Sequence, residues 1–178
     1  MVGLLYNIRS LHNVGSIFRT ADAVGIKKLY LCGITPAPAD VFGRPRQQLT
    51  KVSLGAEKYV AWEKIGSARP STLSSGPKGS AQAISKLIDK LKKEKYKIFA
   101  IEQSKNSIPY NKLKYSKTKK LKNKIALIVG NEIKGLPKPI LKKADKILEI
   151  PMYGRKESLN VVVAFGIVAF YLISAFRK

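Results

Sequence analysis

Apolar residues along this chain fall into two rhythms. Short, nearly unbroken runs at Val2–Tyr6, Lys28–Cys32, Lys97–Ile101, Ile125–Val129 and Lys146–Ile150 have the length and content of strands in a parallel sheet, where both faces are covered. Other stretches repeat with helical spacing. Val14, Ile17, Phe18, Ala21 and Val24 fall at i, i+3, i+4, i+7 and i+10, which predicts a helix starting at Val14 under an Asn13 cap and closing at Gly25. Ser80 is placed to cap a helix through about Glu94, with Ile84, Leu87, Ile88 and Leu91 on one face. Pro137–Ala144 reads as a short helix, and Ser158 stands as an N-cap ahead of an apolar segment that runs to Phe176. Leu49–Gly55 is expected to make a helical turn and Ala56–Trp62 a strand. Ile34–Gln48, with three prolines, and Ser67–Gly79, rich in serine, proline and glycine, read as loops. Strands alternating with helices predict an α/β fold: one domain over residues 1–178, with a mainly parallel sheet flanked by helices.

Composition narrows the partner. A chain of 178 residues that is 45% apolar can bury a full core. Its 34 Lys+Arg against 11 Asp+Glu leave a net charge of +23, which points to a polyanion: RNA, DNA or an anionic membrane surface. A proteome that is basic throughout is the alternative. Ser104–Lys124 carries eight lysines with Tyr110 and Tyr115 among them, as either a solvated charge run or a phosphate contact. One cysteine, Cys32, and one histidine, His12, exclude an internal disulfide and a Cys/His metal cluster, so no metal is expected. The N-terminus lacks a signal-peptide pattern. The closing apolar run, Val161 to Phe176, is shorter than the roughly 20 residues a membrane span needs. The expectation is a cytoplasmic protein with no membrane contact.

Open parallel sheets bind ligands at the carboxyl ends of their strands. Three polar loops fall there: Asn7–Asn13, Gly130–Gly135 and Pro151–Asn160. No G-x-G-x-x-G follows the first strand and no phosphate-binding P-loop occurs. Arg19 lies roughly 200° around its helix from Ile17 at 100° per residue. It is either a solvated arginine paired with Asp22 or one aimed at a phosphate, and the residues leave both open.

The loops carry more when taken together. They read Asn7-Ile-Arg-Ser-Leu-His-Asn13-Val-Gly15-Ser-Ile-Phe-Arg19-Thr-Ala-Asp-Ala-Val-Gly25, then Ile128-Val-Gly130-Asn-Glu132-Ile-Lys-Gly135-Leu, then Ile150-Pro-Met-Tyr-Gly154-Arg-Lys-Glu-Ser158-Leu159-Asn160-Val161. In order and spacing they resemble the three motifs of the SpoU (TrmH-type) branch of the SPOUT methyltransferases. The resemblance implies transfer of a methyl group from S-adenosyl-L-methionine (AdoMet) to a ribose 2′-OH in RNA. It also implies a C-terminal deep trefoil knot, and a homodimer whose active sites combine residues of both subunits. It places Arg19 at the reacting ribose with Asn13 close by. Glu132 is then the acidic residue of the second motif, and Ser158 and Asn160 the polar pair of the third. The AdoMet pocket is expected around Gly130, Ile150 and Leu159, with Ile101 and Glu102, in the strand-end segment Ile101–Gln103, adding a wall. On the residues alone, Gly130 reads as a strand-end turn, Ser158 as an N-cap and Asn160 as a first-turn polar residue.

Some relatives carry a separate RNA-binding domain ahead of the catalytic one. With the first motif at residue 7, none is expected here, and RNA recognition falls to the domain's own basic surface. tRNA is the favoured substrate, with ribosomal RNA as the alternative. The alternative of another class is a non-catalytic basic RNA-binding protein. Methylation of a base is disfavoured by the Asn13/Arg19 motif.

Overall fold

A computed structural model of the chain describes residues 1–66, 77–113 and 124–176. Seven strands form one sheet: β1 (Val2–Tyr6), β2 (Lys28–Cys32), β3 (Ala61–Ile65), β4 (Lys97–Ile101), β5 (Ile108–Pro109), β6 (Ile125–Val129) and β7 (Lys146–Glu149). Their order is β3-β2-β1-β6-β4-β7-β5. Every pairing between them is parallel, so all seven carboxyl ends reach the same rim. β1 and β6 are buried at every position and lie side by side in the middle, as their unbroken apolar runs require.

Helices cover both faces. On one lie α1 (Leu11–Val24), α2 (Gln47–Ser53), the single turn α3 (Ala56–Tyr59) and α6 (Val161–Phe176), where Phe18, Leu49 and Phe165 are fully buried with Leu5, Leu31 and Leu127. On the other lie α4 (Pro77–Lys93) and α5 (Lys138–Leu141), with Ile84, Ile88 and Ile140 packed on Leu4, Ala100 and Ile128. Each large apolar side chain taken fully from water contributes about 1.5–3 kcal/mol.

Several element boundaries differ from the sequence expectation, each for a local reason. α1 begins at Leu11, because Ser10 Oγ accepts the Asn13 N–H at 3.2 Å and makes the cap. That leaves the Asn13 side chain free for other work. Gly25 closes the helix in the left-handed conformation, as expected. α2 starts inside the expected loop, at Gln47. Ala56–Trp62 is not a strand: Gly55, with φ 88°, separates α2 from α3, and β3 begins only at Ala61. Ala56 and Val60 are both buried at i and i+4, a spacing that suits a helical turn. α4 starts at Pro77 rather than Ser80, in keeping with the tolerance of proline in a first helical turn. α6 starts at Val161, and its cap is Asn160, whose Oδ1 accepts the Val162 N–H at 2.8 Å. Ser158 is an exposed loop residue. β5 was not foreseen. Residues 67–76 of the serine-rich loop and 114–123 of the lysine-rich run lie outside the described residues.

The third-motif loop and the helix that follows it are each tied to a neighbouring segment. Gln103 Nε2, just past β4, donates to the Glu157 carbonyl at 2.7 Å. Tyr171 of α6 stacks edge-on against Tyr110, with ring centroids 5.2 Å apart, and donates to the Asn111 carbonyl. No helix among the described residues is long and apolar enough to cross a membrane.

Candidate active site

The rim holds an open cleft of about 250 Å³ over the carboxyl ends of β4, β6 and β7, closed on one side by the start of α6. One wall is the turn Gly130–Gly135. Its geometry is set by close backbone approach: a Cβ at Gly130 would come within 2.5 Å of the Gly135 carbonyl carbon and 2.7 Å of the Leu136 nitrogen. Gly135 itself sits at φ 60°. Asn131 holds the turn from inside. Its Oδ1 accepts the Ile133 and Lys134 N–H groups, each at 3.0 Å, and its Nδ2 donates to the Asn7 carbonyl at 2.7 Å. The second and first motifs are thereby joined.

Glu132 completes that junction. Its carboxylate accepts the Arg9 N–H at 3.1 Å, the Ser10 N–H at 3.2 Å and Asn13 Nδ2 at 3.0 Å, so it caps the start of α1 from more than a hundred residues away. Partial burial works against the charged form of Glu132, but these N–H donors outweigh it and hold its carboxyl below the usual value. Asn160 Nδ2 donates in turn to Asn13 Oδ1 at 3.3 Å. Glu132, Asn13 and Asn160, one from each motif, form a hydrogen-bonded chain at the cleft mouth.

Ile101, Glu102, Gly130, Glu132, Ile150, Ser158, Leu159 and Asn160 all line the cleft. Glu102 faces it but is also structural: its Oε2 accepts the Leu136 N–H at 2.7 Å and so straps the second-motif turn to the end of β4. Asn13 meets the cleft through Glu132 and Asn160. Arg19 does not reach it. It stands on α1 about 9 Å along the axis from Asn13 at 1.5 Å per residue, roughly 240° around, and is exposed. Among the described residues no carboxylate pairs with Arg19, so the Asp22 pair is not formed.

Sequence reasoning missed Glu149 and Met152, which also line the cleft. Glu149 accepts a hydrogen bond from the Ser107 hydroxyl. Its signal was available: an acid at a strand's carboxyl end in a chain with few acids. With it, the cleft is lined among the described residues by three carboxylates, Glu102, Glu132 and Glu149, and by no lysine or arginine. In a chain of net charge +23 that is a local inversion of sign. Cys32 is no rival nucleophile, because burial pushes its thiol up to about 12. Among the described residues no group of His, Cys, Asp and Glu side chains is placed to hold a metal ion.

Sheet, rim cleft and inverted charge define an open parallel α/β protein with a strand-end site for a small molecule bearing positive charge. Comparison with known proteins makes this specific. The chain belongs to the SpoU rRNA Methylase family, whose family model matches residues 1–170. It is 31% identical over 164 residues to a tRNA (guanosine(18)-2′-O)-methyltransferase of Aquifex aeolicus, covering 92% of this chain and 64% of that protein. It is 37% identical over 176 residues to a Borreliella burgdorferi protein of the same description, covering 98% of this chain and 66% of that one. The chain thus spans just under two thirds of the length of each. A crystal structure described as the A. aeolicus TrmH/SpoU tRNA modifying enzyme superposes with a TM-score of 0.69 at 29% identity, covering 99% of this chain and 74% of that one.

Proposed function

We propose that the protein is an AdoMet-dependent RNA methyltransferase that acts in the cytoplasm as a homodimer and methylates a ribose 2′-OH in tRNA. The observation that carries this reading is the acidic, cation-free cleft inside a strongly basic chain, with the Glu132–Asn13–Asn160 chain at its mouth. Its residues fit AdoMet. Ile101, Ile150 and Leu159 offer apolar contact, the strand-end backbone offers hydrogen bonds, and the carboxylates favour a sulfonium cation. When bound, AdoMet supplies an electrophilic methyl group. The similarity to two tRNA 2′-O-methyltransferases supports tRNA as the substrate. The family's own description favours ribosomal RNA as the second reading.

The chain's residues divide the remaining work. Asn13 and Asn160 fix one another and present amide groups to a ribose. Glu132 holds the loop that carries them. A ribose hydroxyl is a poor acid, so its developing negative charge must be stabilised. Arginine stays protonated in proteins and grips phosphate in a bidentate fork, so Arg19 positions the phosphate and stabilises the alkoxide rather than taking the proton. A second copy brings Arg19 to the cleft. The surface for that copy is the outer face of α6, where Val163 and Phe170 are 48% and 51% exposed beside α1. The order β6-β4-β7-β5 supports the trefoil knot: the chain returns from the edge strand to the middle, then crosses β4 to lay down β7 ahead of α6.

The test is methyl transfer from labelled AdoMet into separated tRNA and rRNA, followed by digestion to nucleosides. We expect label in a 2′-O-methylnucleoside of the tRNA fraction. Arg19→Ala should lower it at least about 100-fold with AdoMet still bound, the scale of removing one charge-stabilising donor. Label in rRNA alone would select the second reading. Absence of both label and AdoMet binding would leave a basic RNA-binding protein.

A further inference from the structure

A second, larger groove shares a wall with the cleft. It runs over the carboxyl ends of β1, β2, β3 and β6, with a volume of about 1130 Å³, above the roughly 300–1000 Å³ of drug-sized ligand sites. Residues Asn131, Ile133 and Gly135 face both spaces. The two differ in sign. The cofactor cleft has three acids and no cation, while this groove has Arg9, Arg46, Lys64 and Lys134 against Asp40 alone. Asp40 is already engaged, its Oδ1 accepting the Phe42 and Arg44 N–H groups at 2.9 Å.

Among the described residues, two of the cations have no anionic partner. Arg46 is half-buried, and its Nε is fully buried without a hydrogen-bond partner among the described residues. Lys64, also half-buried, donates to the Gly33 and Thr35 carbonyls. Burial holds its ammonium below the ordinary lysine value, and the nearby Arg46 charge adds to the effect. Two neighbouring half-buried cations with no carboxylate partner among the described residues are a costly arrangement that a bound anion relieves. Trp62 lies two residues from Lys64 on the same side of β3, about 7 Å away at 3.3 Å per residue, and lines the same groove. A nucleotide can bridge that separation, with phosphate at one end and base at the other.

We infer that this groove is a nucleotide subsite of the RNA interface, taking a nucleotide adjacent to the methylated one, with its phosphate on Arg46 and Lys64 and its base against Trp62. The inference rests on the methyltransferase reading, and it explains how a chain without further RNA-binding structure among its described residues holds the strand beside the acceptor. Stacking on an aromatic side chain and phosphate contact are the two elements of single-strand recognition.

Trp62 is the chain's one tryptophan, so its emission reports on this groove. The experiment titrates the full chain with a mixed-sequence oligoribonucleotide, following tryptophan emission and, separately, fluorescence anisotropy of an end label. Wild type is compared with Arg46→Gln and with Lys134→Ala, whose exposed side chain can be replaced without disturbing the fold. We expect emission to be quenched on binding. Arg46→Gln should weaken affinity about 10-fold and lower the slope of log K against log salt by about 1. Methyl transfer should then show a raised KM for RNA with AdoMet affinity unchanged. Binding without quenching, or equal affinity in wild type and Arg46→Gln, overturns the groove while leaving the methyltransferase reading intact. If the wild-type chain does not bind the oligoribonucleotide, the groove falls, and the methyltransferase reading stands or falls by the label and AdoMet-binding test above.

Discussion

At the scale of single residues, the site depends on one carboxylate doing structural work. Glu132 gathers Arg9, Ser10 and Asn13, and its lowered pKa records that the charged form is preferred in the folded chain. The sign follows from linkage. A depressed folded value contributes stability above the unfolded carboxyl value of about 4.3 and loses it as pH falls through the folded value. Glu132→Gln should therefore melt roughly 2 °C below wild type near neutral pH, a small gap because the side chain is exposed. The gap should hold at and above the unfolded carboxyl range and close as pH falls through the lower, folded value. Thermal melts across that range decide the matter; a gap unchanged at low pH would mean the carboxylate's charge is not what holds the loop.

At the scale of elements, the second-motif turn is the most constrained piece of the rim. Gly130→Ala must push the Gly135 carbonyl aside, and that backbone is itself strapped by Asn131 and Glu102. We expect a loss of about 1–3 kcal/mol of stability and a clear drop in AdoMet affinity, measured by denaturant unfolding and calorimetry. An unchanged affinity would show that the turn is not a wall of the cofactor site. The same scale shows what was legible in the sequence. Five strands and the α1 stripe of Val14, Ile17, Phe18, Ala21 and Val24 were readable, because burial on a fixed period leaves a direct trace in residue type. Caps were read less well. Asn13 and Ser158 both have cap chemistry, yet Ser10 and Asn160 do the capping, because several polar residues compete within one turn and only packing selects among them. The three loops were placed at the strand ends by topology. Their meeting through Glu132, Asn13 and Asn160 was not readable from any one stretch, since the partners lie 119 and 147 residues apart.

At the scale of the whole molecule, a chain of net charge +23 carries a cleft whose described lining is acidic, and it leaves Arg19 exposed away from that cleft. Under the proposed reading, a complete site is built from two copies. Phe170→Asp should convert a dimer to monomers in sedimentation at micromolar concentration, since it puts a charge on the exposed apolar face of α6. Methyl transfer should fall at least about 100-fold with it, as for loss of Arg19 itself. A dimer that survives the change would place the interface elsewhere.

The position of β6 has a consequence during synthesis. The strand that fills the middle of the sheet is made after β1 and β4, the two strands it joins. At about 5–20 residues per second, some 120 residues separate the emergence of β1 from that of β6, a wait of roughly 6–24 s. β1 spends all of it with one open flank, and β4 (Lys97–Ile101) adds a second for the closing stretch, the kind of edge that recruits strands from other chains. Stalling translation before Ile125 would therefore leave a half-sheet whose open edges stay sticky until β6 is made.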